Sequence, residues 1–118
     1  MISNRVQILD ALLTVCKNVK TERPEGILTL PLITYGEVTN VKFSKYIDRI
    51  EYQIDAYADS FQGVIQLTRG IDEVMTGLGW DRTFVTPDSR ARVGNGLYQK
   101  AMNYVAKVDV RYNDILGG

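Results

Sequence analysis

The sequence contains no histidine and only one cysteine, Cys16. Without histidine, the chain lacks the commonest acid or base at neutral pH and the commonest metal ligand in proteins. A single cysteine cannot form an intrachain disulfide, which is typical of proteins from a reducing compartment such as the cytoplasm. Any metal site would therefore have to be built from carboxylates, and any nucleophile would lack a histidine to activate it.

The chain also lacks an excess of either charge, because its 14 lysines and arginines match its 14 aspartates and glutamates. Nucleic-acid binding relies on surplus cations that displace counterions from phosphates, so this balance provides no general argument for it. No apolar run approaches the roughly twenty residues that a membrane-spanning helix needs, and the N-terminus lacks the layout of a signal peptide. The sequence predicts a soluble protein made in the cytoplasm, with no membrane partner.

What the sequence does contain is an ordinary globular composition, with 118 residues of which 45% are apolar and 24% are charged. These fractions argue against disorder. A chain of this length buries roughly two-thirds of the surface of its unfolded form, which is enough for a core without disulfides or metals. We expect one domain over residues 1–118, with no internal linker or repeat.

The spacing of apolar residues predicts two helices and four strands. In chain order these are a helix at about 4–17, strands at 28–38 and 47–58, a helix at about 60–78, and strands at 80–85 and 97–112. The buried stripe of the first helix is expected at Val6, Leu9, Leu12, Leu13 and Cys16. We interpret Cys16 as an inert core residue, because a buried thiol without a nearby base is unreactive.

The segment 47–58 has the clearest pattern, because its apolar and polar residues alternate along the whole length. Such a strand packs one face on a core and leaves the other polar, which is typical of antiparallel sheets. The last strand is of similar length, and we expect the two to pair. The sequence therefore predicts a two-layer α+β domain, in which two helices cover one face of an antiparallel sheet of about four strands.

The carboxylates form no pattern typical of a metal site. Asp55 and Asp59 flank the end of a strand, and Asp72 and Glu73 lie on a helix, but neither pair has the alternation of a calcium loop. No Ser-x-x-Lys arrangement is present, and the glycines at 94–96 precede a strand where a phosphate loop would precede a helix. We expect no metal, no cofactor and no enzymatic activity.

A polar segment at 86–96 is the one candidate for a binding surface. Its candidate residues, together with the lysine that follows it, are Pro87, Arg90, Arg92, Asn95 and Lys100. Loops of this length in a small domain are uncommon and often carry function. The cations could contact phosphates or an acidic protein surface, or they could keep an exposed loop solvated. We favour a solvated loop over one that binds nucleic acid, and binding of a protein partner stays an open alternative.

Four segments, taken in their order along the chain, resemble the tail terminator family of siphophages and related prophages, whose members are also called tail-completion or head–tail joining proteins. These segments are LPLITYGEVTN at 30–40, IEYQIDAYA at 50–58, IDEVMTGLGW at 71–80 and YVAKVDVRY at 104–112. They are similar to the first strand, the central strand, the helix exit and the closing strand of that family. Each motif is short, and the resemblance depends on their order and spacing over nearly the whole chain.

The resemblance implies a structural virion protein that forms a ring, typically a hexamer, on the finished tail tube. Such a ring stops tube growth, offers a surface to the head connector or stopper protein, and lets DNA pass through its lumen. It would assemble in the host cytoplasm and remain in the neck of the virion. The family has no catalytic residues, so no site is carried over. The alternatives are another neck component, such as a stopper or adaptor, and a small cellular regulatory or ligand-binding domain.

Overall fold

The computed structural model describes residues 4–22, 29–87, 92–94 and 96–117. Within these ranges the chain forms two helices and seven strands. They are α1 Asn4–Leu13, β1 Val19–Lys20, β2 Leu32–Lys42, β3 Ile47–Ala58, α2 Phe61–Gly77, β4 Asp81–Val85, β5 Arg92–Gly94, β6 Leu97–Asp109 and β7 Asp114–Gly117. The α+β class predicted from the sequence is confirmed.

All seven strands belong to one sheet, whose main path is β1-β2-β3-β6-β4. The long strands β3 and β6 pair antiparallel along their length, from Ile47 opposite Asp109 to Ala58 opposite Tyr98. This confirms the pairing expected from their matched lengths. Three shorter strands pair with the other side of β6, in the order β5, β4 and β7 from its start to its end. The short β1 runs parallel to β2, so the sheet is mixed.

Both helices pack on the same face of the sheet. Alternate residues of β3 and β6, such as Ile54 and Tyr104, point into a core that also contains Ile8 of α1 and Ile71 of α2. Residues at three- and four-residue spacing on α2 are fully or largely buried because that stripe faces the sheet. The opposite face of the sheet carries the polar residues of β3 and β6, as the alternation predicts.

The second helix begins and ends as its sequence predicts. Ser60 caps its N-terminus, and the Ser60 Oγ accepts a hydrogen bond from the amide of Gly63 at 3.0 Å. Beyond its C-terminus, Gly79 has φ +98°, a left-handed conformation that favours glycine. Trp80 follows and is buried, and its ring meets that of Tyr52 edge-on with 5.4 Å between the centroids. This turn directs the chain from α2 into β4.

The four predicted strands are present as β2, β3, β4 and β6 and pair antiparallel, but the sheet contains more strands than the expected four or so and is mixed. The additional strands β1, β5 and β7 contain two, three and four residues. Such short pieces cannot display a period of two, so tertiary pairing creates them without a sequence signal. The last strand also ends earlier than expected, at Asp109, because the chain turns through Asn113 with φ +56° and returns as β7.

The first helix is shorter and differently oriented than predicted, since it ends at Leu13 and not near Lys17. Its buried side is formed by Ile8 and Leu12, while Val6 and Leu13 are each 43% exposed. Cys16 follows the helix and is buried, which agrees with its interpretation as a core residue. The first helix has a weak apolar stripe, so its contact with α2 and not its own pattern determines which side is buried.

Candidate functional site

The structure describes three of the five residues predicted at the candidate loop, namely Pro87, Arg92 and Lys100. Pro87 is exposed just after β4, and Arg92 lies in β5 opposite Tyr98. Lys100 lies within β6, opposite Ala56 on the side that faces the helices, and is only 4% exposed. Its side chain is therefore not an exposed cation in the isolated subunit, and the assignment of this loop to an interface stays a prediction. Arg90 and Asn95 fall outside the described residues.

Segment 86–96 was expected to be a loop throughout, and part of it is a strand. Strand β5 pairs with the start of β6, so the chain forms a hairpin there. Because β6 then continues into the core, the lysine three residues after its start is carried inward. A loop assignment based on glycine and proline alone could not detect this, because a three-residue strand has no periodicity.

Two of the four carboxylates considered as metal ligands, Asp55 and Asp72, make structural contacts. Asp72 accepts a hydrogen bond from the Tyr104 hydroxyl at 2.9 Å, and Arg82 lies 3.5 Å from the same oxygen. Burial and this hydrogen bond raise the pKa of Tyr104 well above its usual range. In the described part of the chain, no three cysteine, aspartate or glutamate residues cluster as a metal site would require.

The polar face of the sheet carries a self-contained hydrogen-bond network. Asp55 accepts hydrogen bonds from Gln53 Nε2 at 3.0 Å and Gln99 Nε2 at 3.2 Å, and its other contact is the Tyr57 hydroxyl at 3.4 Å. Tyr57 points toward this polar face, as expected, but is only 3% exposed. The bond from Gln99 to Asp55 crosses from β6 to β3, so the network helps to hold these two strands together.

Two edges of the sheet are unpaired among the described residues. Strand β1 pairs only with Ile33 and Thr34 of β2, so residues 37–42 form an open edge and are exposed. Strand β4 pairs only with β6 and is exposed from Asp81 to Phe84. Val38 on β2 is 50% exposed, and Phe84 on β4 is 51% exposed. Natural proteins usually protect such edges, so open edges with apolar side chains indicate an interaction.

A third surface lies at the end of the sheet where the β2–β3 turn meets the end of β6. We call it the aromatic–cation tip, and its members are Phe43, Lys45, Tyr46, Lys107, Arg111 and Tyr112. The amide of Val110 donates to the Tyr46 carbonyl at 2.8 Å, which ties the turn to the end of β6. Phe43 is 57% exposed and Tyr112 is 54% exposed, so large aromatic surface faces solvent here.

Cations of the tip stack on its aromatic rings. Lys107 Nζ lies 4.3 Å from the centroid of Phe43, and the Arg111 guanidinium lies 4.2 Å from the centroid of Tyr46. Arg111 also donates to Asp109, with Nη2 to Oδ2 at 2.7 Å, and this lowers the pKa of the Asp109 carboxyl. The sequence interpretation missed the tip because its members come from the β2–β3 turn and from the end of β6 with the turn after it, and these meet only in the fold. Aromatic residues within polar turns are the signal that could have revealed it.

No model of a known protein family matches this sequence. No curated protein aligns with it at a significant level either. None of the described helices combines the length and apolar character needed to cross a membrane.

Proposed function

We propose that this chain is a structural subunit of the tailed-phage neck, a tail terminator that forms a ring, caps the tail tube and stops its growth. The ring, typically a hexamer, also joins the tail to the head connector or stopper protein. The chain assembles in the host cytoplasm and remains in the virion, without a cofactor or an enzymatic activity. The observation that carries the proposal is the pair of open edges on opposite sides of one sheet.

Open edges on opposite sides favour head-to-tail association. The β2 edge of one subunit can pair with the β4 edge of the next, and each new subunit again presents a free edge of both kinds. Such a heterologous contact forms a ring when its rotation closes. Main-chain hydrogen bonds between edges supply affinity, while Val38 and Phe84 supply apolar area that pairing would cover.

A ring joined through sheet edges leaves both ends of the strands free, so it has two different outer surfaces. A terminator requires this arrangement, because one surface must contact the tail tube and the other the head connector. The balanced charge of the chain is compatible with close association, since the copies repel one another weakly. The elongated subunit, 48 × 26 × 23 Å, can span from one surface to the other.

The test uses one charged substitution on each edge. Val38→Lys and Phe84→Lys each place a lysine on an exposed apolar position, and Leu13→Lys makes the same change on α1 as a matched control. Negative-stain microscopy and native mass measurements would be made on the chain alone and with the candidate tail-tube protein. We expect rings or capped tubes for the unchanged chain and for Leu13→Lys, and neither for the two edge variants.

Mixing the two edge variants tests the head-to-tail geometry directly. Val38→Lys retains its β4 edge and Phe84→Lys retains its β2 edge, so the mixture can form one intact contact and stop at a dimer. A symmetric contact that uses one edge twice would give no mixed dimer. Monomers of the unchanged chain in both samples, with uncapped tubes, would show that the proposal is wrong.

The phenotype of a deletion separates a terminator from another neck component. Loss of a terminator is expected to produce tails of uncontrolled length, because nothing stops tube polymerisation. Loss of a stopper or adaptor is expected to leave filled heads that leak DNA while tail length stays normal. Normal tails after deletion would therefore contradict the terminator and favour the stopper or adaptor.

A further inference from the structure

We infer that the aromatic–cation tip is a docking surface for a protein partner that presents carboxylates around an apolar patch. The inference goes beyond ring formation, because the tip lies at the ends of the strands and the proposed ring contacts lie along their edges. It therefore concerns a different contact, made by different side chains. Three features favour this role, namely the contacts that hold Arg111 within the tip, the lysines without a carboxylate partner and the exposed aromatic surface.

Contacts within the tip itself hold the side chain of Arg111. Arg111 lies over the ring of Tyr46 at 4.2 Å and near that of Tyr112 at 5.1 Å, and Asp109 receives two of its donors at 3.1 and 2.7 Å. A guanidinium held on three sides has little rotamer freedom left to lose on binding. Aromatic residues and arginine are also the types enriched where interfaces derive most of their affinity.

Two lysines of the tip have no carboxylate partner among the described residues. Lys45 is exposed, and Lys107 is half-buried with its ammonium over Phe43. The ion pairs found in the described ranges involve Asp72 with Arg82 and Asp109 with Arg111, so these lysines make none. Their charge is available to an acidic partner. An ammonium that lies over an aromatic face can still donate hydrogen bonds to a carboxylate on its open side.

The nearby charges and apolar residues favour a protein over a nucleic acid. Asp48, Asp109 and Asp114 lie within or beside the tip, and they would repel a continuous line of phosphates. The exposed apolar side chains Phe43 and Tyr112 require apolar surface to cover them, which a duplex backbone lacks. A protein surface can place its carboxylates opposite the lysines and apolar groups opposite the rings.

A second copy of the tip is also a poor occupant. Two tips facing each other would bring together their unpaired lysines, and like charges opposite one another disfavour the contact. The open edges, by contrast, carry charges of both signs, with Glu37 and Lys42 on β2 and Asp81 and Arg82 on β4. Self-association is therefore assigned to the edges, and docking of an acidic partner to the tip.

The experiment measures binding of defined probes by fluorescence anisotropy. The probes are poly-glutamate, a labelled glutamate-rich peptide of the same net charge with regularly spaced leucines, and a short duplex DNA. We expect the leucine-containing acidic peptide to bind most tightly, because it offers both carboxylates and apolar groups. The double variant Lys45→Glu/Lys107→Glu is expected to weaken this binding about tenfold or more, since two attractions become repulsions.

Two further variants separate the tip from general electrostatics. Arg69→Glu makes the same type of charge reversal on the exposed side of α2 and is expected to change peptide binding less than about twofold. Phe43→Ser keeps every charge and is expected to reduce the preference for the leucine-containing peptide over poly-glutamate. Tighter binding of the duplex, absence of peptide binding, or equal losses from Arg69→Glu and the double variant would each overturn the inference.

Failure of this inference is distinguishable from failure of the ring. The tip variants are expected to keep the oligomeric mass of the unchanged chain, and the edge variants are expected to keep peptide binding. Loss of peptide binding in Val38→Lys or Phe84→Lys would mean that the edges contain the binding surface, and the tip assignment would be wrong.

Discussion

The contact between Tyr104 and Asp72 joins the sheet to α2, and its two partners differ sharply in burial. Tyr104 is 0% exposed, whereas the side chain of Asp72 is 34% exposed. Tyr104→Phe removes the donor and leaves a carboxylate that water can reach, so it should cost about 1 kcal/mol of unfolding free energy. Asp72→Ala instead leaves the buried hydroxyl with only the Met102 sulfur at 3.5 Å, a weak acceptor.

We therefore expect the larger loss of stability from Asp72→Ala, although Asp72 is the more exposed of the two residues. An unsatisfied buried hydroxyl costs about 1–3 kcal/mol. Alanine also has a higher helix propensity than aspartate by roughly 0.5 kcal/mol, which partly offsets this cost in the single variant. Adding Tyr104→Phe to Asp72→Ala removes the orphaned hydroxyl, so the double variant should be less destabilised than the sum of the two by about 1 kcal/mol. The gain in helix propensity from Asp72→Ala is the same whether residue 104 is tyrosine or phenylalanine, so it does not contribute to this coupling energy.

Denaturant unfolding of the four proteins measures the coupling, provided that the slopes with denaturant agree. Arg82→Ala is the matched control for the other contact of Asp72, which spans 3.5 Å between exposed groups. That substitution should cost less than about 1 kcal/mol. Additive costs for Tyr104→Phe and Asp72→Ala, or a larger cost for Tyr104→Phe than for Asp72→Ala, would refute this reasoning.

Two more predictions concern alkaline stability and the glycines at the C-terminal end of α2. The pKa of Tyr104 lies above its ordinary value of 10.0 in the folded state, so its contribution is complete below that pH and is lost as pH rises further. Unfolding measured above pH 10 should show a shallower loss for Tyr104→Phe than for the unchanged chain, and an equal loss would contradict the assignment. Gly77→Ala should stabilise α2 by about 0.5–1 kcal/mol, because a Cβ there meets nothing within 4 Å. Gly79→Ala should instead destabilise by about 1–3 kcal/mol, because φ is +98° and the Cβ would lie 3.0 Å from Ile115. Thermal unfolding should give a higher melting temperature for Gly77→Ala and a lower one for Gly79→Ala than for the unchanged chain. A shift in the same direction for both variants would contradict this prediction.

The parts of the fold that the sequence predicts are those with a long, regular burial pattern. Strand β3 has the predicted bounds because Ile50, Tyr52 and Ile54 alternate with polar residues over its whole length. Helix α2 has both a capping serine and a glycine stop. Strands β5 and β7 have neither feature, and they form only because the long β6 offers main-chain groups beside them. Local pattern therefore predicts the central elements and fails for those that exist only through pairing.

The same reasoning explains why the sequence did not indicate the burial of Lys100 and did not reveal the tip. Lys100 belongs by type to a surface, but it sits two residues before Met102 on the side of β6 that faces the helices, and the strand carries it inward. The reverse holds for Phe43, which belongs by type to a core and is 57% exposed at the β2–β3 turn. Composition misleads at both positions because strand direction and turn placement, and not residue type, determine exposure there.

The division of roles between edges and tip follows from the central position of β6. This strand pairs with β3 on one side and with β4, β5 and β7 on the other, and its alternate side chains fill the core. Its paired edges and buried face are therefore occupied in the described part of the chain, while the outer strands and the strand ends stay exposed to new contacts. Outer edges offer backbone groups that any copy of the chain can match, which suits self-association. The strand ends offer side chains, and side chains distinguish one partner from another. If the roles were reversed, charge reversal at Lys45 and Lys107 would abolish ring formation, and Val38→Lys would leave the rings intact.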